Sequence, residues 1–237
     1  MNSKTVGKNT SSLETLSKAD SVKAYEALKV NAEALFSTAK DASSKGNYGV
    51  ARSLLVLGSE EYIKGAVLFL KSIGVNAIKI PELSGVLKNN HKCRHEAAML
   101  LKLLNAVLYF IEWEEFEAQP NRKSSKVTKF LFYAEQVIIK VQSALEEAED
   151  LLWWEQVDNY KNSGFYVGYS EGLLIPQSIT QQDFDIAAAK VRKLVKRLRL
   201  FQIAYERSNT NEKRLIVQNL NDAVKLQIRI NKEGKIG

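Results

Sequence analysis

Ala51-Arg52-Ser53-Leu54-Leu55-Val56-Leu57-Gly58-Ser59-Glu60-Glu61-Tyr62-Ile63-Lys64-Gly65 is the stretch on which the fold turns. Ala51, Leu54, Leu55, Tyr62, Gly65, Leu68 and Phe69 recur at helical spacing and predict a helix from Tyr48 to Ile73. Glu60, Glu61 and Lys64 form a charged cluster on that otherwise apolar helix, and they share much of one face. Gly74 closes the helix.

Upstream, Leu13 to Ser44 is predicted helical. Tyr25, Leu28, Ala32, Leu35, Phe36 and Ala39 mark its buried face, and Ser43-Ser44-Lys45-Gly46-Asn47 carries stop chemistry. Residues 1–12 are polar and expected to be a flexible N-terminus. Downstream, Pro81-Glu82 opens a third helix, with proline in the first turn. That helix carries Asn90-His91-Lys92-Cys93-Arg94-His95-Glu96, then Ala98, Leu101, Leu104, Leu108 and Ile111, and ends in the acidic run Glu112, Glu114, Glu115 and Glu117. A fourth helix, about 124–154, buries Phe130, Leu131, Ala134, Ile138, Val141, Leu145 and Leu152.

The segment 156–180 mixes aromatics with three glycines and predicts an ordered loop or small hairpin. Thr180 and Asp183 predict an N-cap with a capping box. The helix beyond buries Phe184, Ala187, Val191, Leu194, Leu198 and Phe201. A last helix, about 212–230, buries Leu215, Leu220, Val224 and Ile228. Long helices on short connections make an all-α, antiparallel helical bundle.

Composition agrees. The 237 residues hold only 12 Gly and 3 Pro, with 45% hydrophobic and 26% charged residues, so long helices are the economical solution. A single cysteine excludes a disulfide framework and a cysteine zinc site. The N-terminus lacks the apolar core of a signal peptide. The most apolar segment, Ala97 to Trp113, is short for a membrane span and interrupted by Lys102 and Asn105. A cytoplasmic protein with no membrane contact is expected.

The net charge of +7 is unevenly placed. From Lys190 onward there are 13 Lys or Arg and 4 Asp or Glu, a local charge of +9, which leaves −2 on the rest. Such a stripe attracts phosphates and acidic surfaces. Lys193, Lys196, Arg197 and Arg199 are the candidate RNA-binding cluster, with Phe201 and Tyr205 near for stacking; a merely solvated basic face fits the same spacing.

Both histidines of the chain lie one turn apart, and His91, Arg94 and His95 share a face. If that face meets Glu60, Glu61 and Lys64, two readings follow. A histidine could move a proton and Arg94 could hold a phosphate, the needs of RNA cleavage without a metal. Alternatively the two clusters form a buried network that fixes helix register. The i, i+4 histidines also suit zinc, with Glu60 or Glu61 as a third ligand. The zincin motif requires Glu beside the first histidine, where this chain has Lys92. No metal or other cofactor is expected.

Four features taken in order resemble a known family: Asn31-Ala32 in the opening helix; Ala51 to Leu57 running into Glu60-Glu61-x-x-Lys64; His91-x-x-Arg94; and Lys161-Asn162-x-Gly164-Phe165-Tyr166-Val167 with Gly172 and Pro176. Together they resemble the AbiV abortive-infection proteins, a branch of the all-helical HEPN superfamily, over about residues 22–206. The domain so outlined is 13–206, with 207–237 as a basic helical extension. The resemblance implies an antiphage protein that halts growth or translation of the infected cell. It implies a homodimer, a phage-encoded activator protein as partner, and RNA or the ribosome as target. HEPN ribonucleases carry Arg, four to six residues, then His. Neither histidine here has an Arg at that distance, although Lys88 precedes His95 by that spacing and Arg94 follows His91. The catalytic set expected from the side-chain chemistry is His91, Arg94 and His95, supported by Glu60, Glu61 and Lys64. Phe165, Tyr166 and Tyr169 form a candidate partner-binding loop; filling a gap between helices is the other reading of these aromatics.

Overall fold

The computed structural model describes residues 13–88, 100–101, 149–150, 152–169 and 173–233. Six α-helices are complete within this set: α1 (Lys18–Ser44), α2 (Tyr48–Ser72), α3 (Pro81–Leu87), α4 (Val157–Phe165), α5 (Gln181–Arg207) and α6 (Thr210–Glu233). A two-residue antiparallel pairing, β1 (Gly168–Tyr169) with β2 (Leu173–Leu174), sets Gly168 opposite Leu174. The architecture is an all-α bundle.

Local chemistry sets the helix ends. Leu13–Thr15 is a separate 3-10 turn, and α1 starts only after Ser17, whose hydroxyl accepts from the Asp20 N–H at 3.1 Å. That cap divides the single helix expected from residue 13. Gly46 (φ +76°) and Gly74 (φ +95°) supply the left-handed turns after α1 and α2. Pro81 occupies the first turn of α3. The expected capping box at Thr180 is formed: its hydroxyl accepts from the Asp183 N–H at 3.3 Å, and Asp183 accepts from the Thr180 N–H at 2.9 Å.

The central element is α2, buried on most sides and packed against α1, α4 and α5. Two glycines let α1 approach it closely. A Cβ on Gly58 would lie 2.5 Å from the Phe36 ring, and one on Gly65 would lie 3.1 Å from Tyr25. Phe69 of α2 then meets Tyr25 at 5.5 Å, Phe201 at 6.2 Å and Tyr205 at 5.9 Å. The Tyr25 hydroxyl donates to Gln202. Ala187, Val191, Leu194, Leu198 and Phe201 bury one stripe of α5, and each large side chain among them contributes roughly 1.5–3 kcal/mol.

The last helix belongs to the same core, through Ile216, Leu220 and Val224. Asn221 pins it to the turn after α2: its Oδ1 accepts from the Asn76 N–H at 2.9 Å, and its Nδ2 donates to the Gly74 carbonyl at 3.2 Å. Leu215 was expected inside but is half exposed, because the buried stripe runs through Ile216 instead. Leu152, also expected inside, is 61% exposed, whereas its neighbour Trp154 is fully buried. The expected loop over 156–180 is corrected in its first third. Val157–Phe165 is the helix α4, and only Gly168–Tyr169 and Leu173–Leu174 pair as strands. The N-terminal residues 1–12 that the sequence expects to be flexible, Cys93, the acidic run from Glu112 to Glu117 and most of the predicted 124–154 helix lie outside the described residues.

Candidate functional site

A polar layer crosses the bundle where α4 lies on α2. The close approach depends on Gly164. A Cβ there would fall 2.1 Å from the Ser53 hydroxyl and 2.2 Å from the Gly49 carbonyl oxygen. Gly49 is equally confined, since its own Cβ would fall 2.4 Å from the Pro176 carbonyl oxygen. Two glycines and a proline thus bring α4 and the Pro176 turn onto the start of α2.

That stacking aligns polar groups. Lys161 sits in the last two turns of α4, and its ammonium donates to Glu60 at 2.7 Å and to Asp158 at 3.4 Å. Both members of the first pair are buried, Lys161 at 8% and Glu60 at 2% exposure. Burial alone would lower the Lys161 pKa. The hydrogen bond and charge of Glu60, with the charge of Asp158, outweigh it and hold the ammonium above the usual lysine value. The Lys161 carbonyl accepts from the Ser53 hydroxyl at 2.6 Å. Next to Ser53, Arg52, also buried, donates from Nη2 to the Ser163 hydroxyl at 2.9 Å and lies 5.1 Å from the Tyr160 ring centroid. Its Nε is buried without a hydrogen-bond partner. Burial draws the Arg52 pKa down, against the opposing charge of Asp183.

The three charged residues of the α2 cluster diverge. Glu60 points into the layer toward α4. Glu61 pairs with Lys64 at 2.8 Å and accepts from Asn31 of α1 at 3.2 Å. The sequence expects Glu60 or Glu61 to face a histidine; among the described residues Glu60 meets Lys161 across the bundle. Lys161 was visible in the sequence only as part of the Lys161-Asn162-x-Gly164 motif. His91, Arg94 and His95 lie outside the described residues. Lys88, just before them, is exposed and pairs with Glu14 at 3.3 Å.

The basic cluster on α5 divides in two. Lys193 turns toward Asp150, which it meets at 2.6 Å, and Lys190 takes the other carboxylate oxygen at 2.6 Å. Burial would raise the Asp150 pKa; the hydrogen bonds from the two ammonium groups win and hold it below the usual carboxylate range. Arg197 is half-buried. Lys196 and Arg199 remain on the outer face, with Arg192 one turn earlier. In the aromatic segment Phe165 is half-buried at the end of α4. Tyr166 and Val167 are about two-thirds exposed, and Tyr169 stands in β1. Tyr166 therefore fills no gap between helices.

Among the described residues no His, Cys, Asp and Glu gather in a set of three that could hold a metal ion. No described helix is long and apolar enough to cross a membrane.

The fold and the site define an all-α bundle whose central helix is locked to a Lys-Asn-x-Gly-Phe-Tyr segment through a buried Lys–Glu pair. The AbiV family (HEPN_AbiV) matches residues 20–197, about three-quarters of the chain, and the chain belongs to that family. Membership makes it a protein of the abortive-infection class. No curated protein and no solved structure matches it.

Proposed function

We propose that this chain is an antiphage effector that stops translation or growth of the infected cell by acting on RNA. In this reading it works in the cytoplasm as a homodimer, after a phage-encoded protein activates it. His91 and His95 exchange protons with the 2′-OH and the leaving oxygen, and Arg94 neutralises charge at the phosphate, with no metal in the step. The observation that carries the reading is the sequence spacing of the two histidines, four residues apart and flanking Arg94, in a chain of the AbiV family. The Glu61–Lys64 pair supplies supporting charge on α2, and the Glu60–Lys161 pair holds that helix in register.

RNA integrity and translation in cells expressing wild type or His91→Ala test it. Fragmented RNA and arrested translation with wild type, both lost in His91→Ala at equal protein level, are expected. Intact RNA under continued arrest overturns the nuclease step. It would favour a non-enzymatic module that senses a phage protein and engages the translation machinery through its basic face. The exposed Lys196 and Arg199 support that second reading.

A further inference from the structure

The outer face of α5 does not end in plain solvent. With α1 and α2 it walls a groove of about 760 Å³. The groove is floored by Phe36 of α1, Leu55 of α2, and Val191, Val195 and Ile203 of α5. Leu200 at its edge is 53% exposed. The α5 wall runs from Ala188 to Ile203, about 22 Å at 1.5 Å per residue.

Four exposed cations line this apolar floor: Lys40 on the α1 side, and Arg192, Lys196 and Arg199 on the α5 side. None of the four is ion-paired among the described residues. The contrast with Lys190 and Lys193 is direct, because those two lysines of the same helix both close on Asp150.

We infer that this groove is a docking site for an amphipathic helix of a partner protein, one with a stripe of apolar residues and acidic residues at one-turn spacing beside it. Two features select that occupant, and they exclude two others. The floor is apolar and elongated, which rewards side chains at i, i+3, i+4 and i+7 of a helix. Arg192, Lys196 and Arg199 repeat at i, i+4 and i+7, so the complementary charges must also recur once per turn. An acyl chain would place its charge at one end only and leave most of the cations unmatched. An RNA strand would meet the cations but bury no apolar floor, and among the described residues Phe36 is the one aromatic ring that lines it. The inference stands whether or not the chain cleaves RNA.

The probe is a fluorescein-labelled synthetic peptide of about 18 residues with Leu at i, i+3, i+4 and i+7 and Glu once per turn along one edge. Its anisotropy is measured with the full chain. The ordered peptide should bind at least about tenfold more tightly than its scrambled form. Leu200→Asp and Lys196→Glu should each weaken it about tenfold. Arg214→Glu, exposed on α6, should leave it unchanged. A peptide in which only the Glu facing position 196 is replaced by Lys should recover binding to the Lys196→Glu variant, since Lys40, Arg192 and Arg199 still meet the remaining Glu residues. Unchanged circular dichroism keeps each loss attributable to the groove. Equal binding of ordered and scrambled peptides overturns the inference. So does tighter binding of an oligouridine of similar length that Lys196→Glu abolishes and Leu200→Asp spares, which would make the face an RNA surface.

Discussion

Two sets of cations face different ways in this bundle, and the difference separates structure from recognition. Lys161 and Arg52 lie inside, between α2 and α4, each held by named partners. Arg192, Lys196 and Arg199 lie outside, along a groove, without ion pairs among the described residues. A charge taken out of water must be matched within the fold, or folding bears the desolvation cost. A charge left in water carries no such demand, so its position is free to serve a partner. Burial therefore assigns the Lys-Asn-x-Gly segment to holding α2 in register, and the outer face of α5 to contact.

The sharpest way to break this contrast is Lys161→Ala. It removes the ammonium that two carboxylates share inside the bundle. Loss of one partner of a buried pair costs about 3 kcal/mol or more. Urea denaturation should show that loss as a lower midpoint at unchanged slope. Glu60→Ala should cost less, because Asp158 still faces the ammonium. A wild-type midpoint in Lys161→Ala would remove the pair from the structural side of the comparison.

Next comes Gly164→Ala. The added methyl meets the Gly49 backbone as well as the Ser53 hydroxyl, and backbone cannot swing aside. Overpacking of this kind costs about 1–3 kcal/mol. Gly46→Ala is the useful contrast, because nothing lies within 4 Å of its Cβ position and only the left-handed backbone is strained. Gly164→Ala should loosen α4 from α2, read as faster amide exchange across Val157–Phe165.

These two sites also show what the sequence could and could not reveal. The ends of α1, α2 and α5 were legible because their signals are local: Gly46, Gly74, and Thr180 with Asp183. The helix α4 was not, because Gly164 and the surrounding aromatics speak against a helix locally. Its reason to fold as one is tertiary, a seat on Gly49 and Ser53. The Glu60–Lys161 pair joins residues 101 apart in the chain, and no periodicity announces such a pair. Leu215 and Ile216 show the limit of stripe reading: two apolar neighbours compete for one inward position, and the core takes the second. On α5 the basic residues were legible as a cluster. Its division between Asp150 and the groove needed the fold.

A smaller effect follows from pH. The folded Lys161 pKa lies above its ordinary value, so its contribution is complete below about pH 10.4 and fades as pH rises through the folded value. Asp150 runs the other way. Its folded pKa is depressed, so its contribution is complete above about pH 4 and fades as pH falls through the folded value. Stability measured from pH 9 to pH 12 should fall less steeply in Lys161→Met than in wild type. The same series from pH 5 to pH 2 should fall less steeply in Asp150→Asn. Identical slopes in variant and parent would mean the two pairs do not differ between folded and unfolded chains.

The smallest effect on stability should come from the outer face, and there it is most informative. Lys196→Glu and Arg199→Glu change exposed groups with no ion pair among the described residues, so each should move the unfolding free energy by no more than about 0.5 kcal/mol. Neither change removes a buried contact, and reversal even relieves part of the +9 carried from Lys190 onward. If growth arrest falls in these variants while the melting temperature holds, the outer cations act through a partner. Lys161→Ala must behave in the opposite manner: its arrest should fail only as its folded population falls, and return at a temperature where the variant is folded. A Lys196→Glu chain that melts several degrees early would place that lysine with Lys161, inside the structural set, and erase the distinction between the two faces.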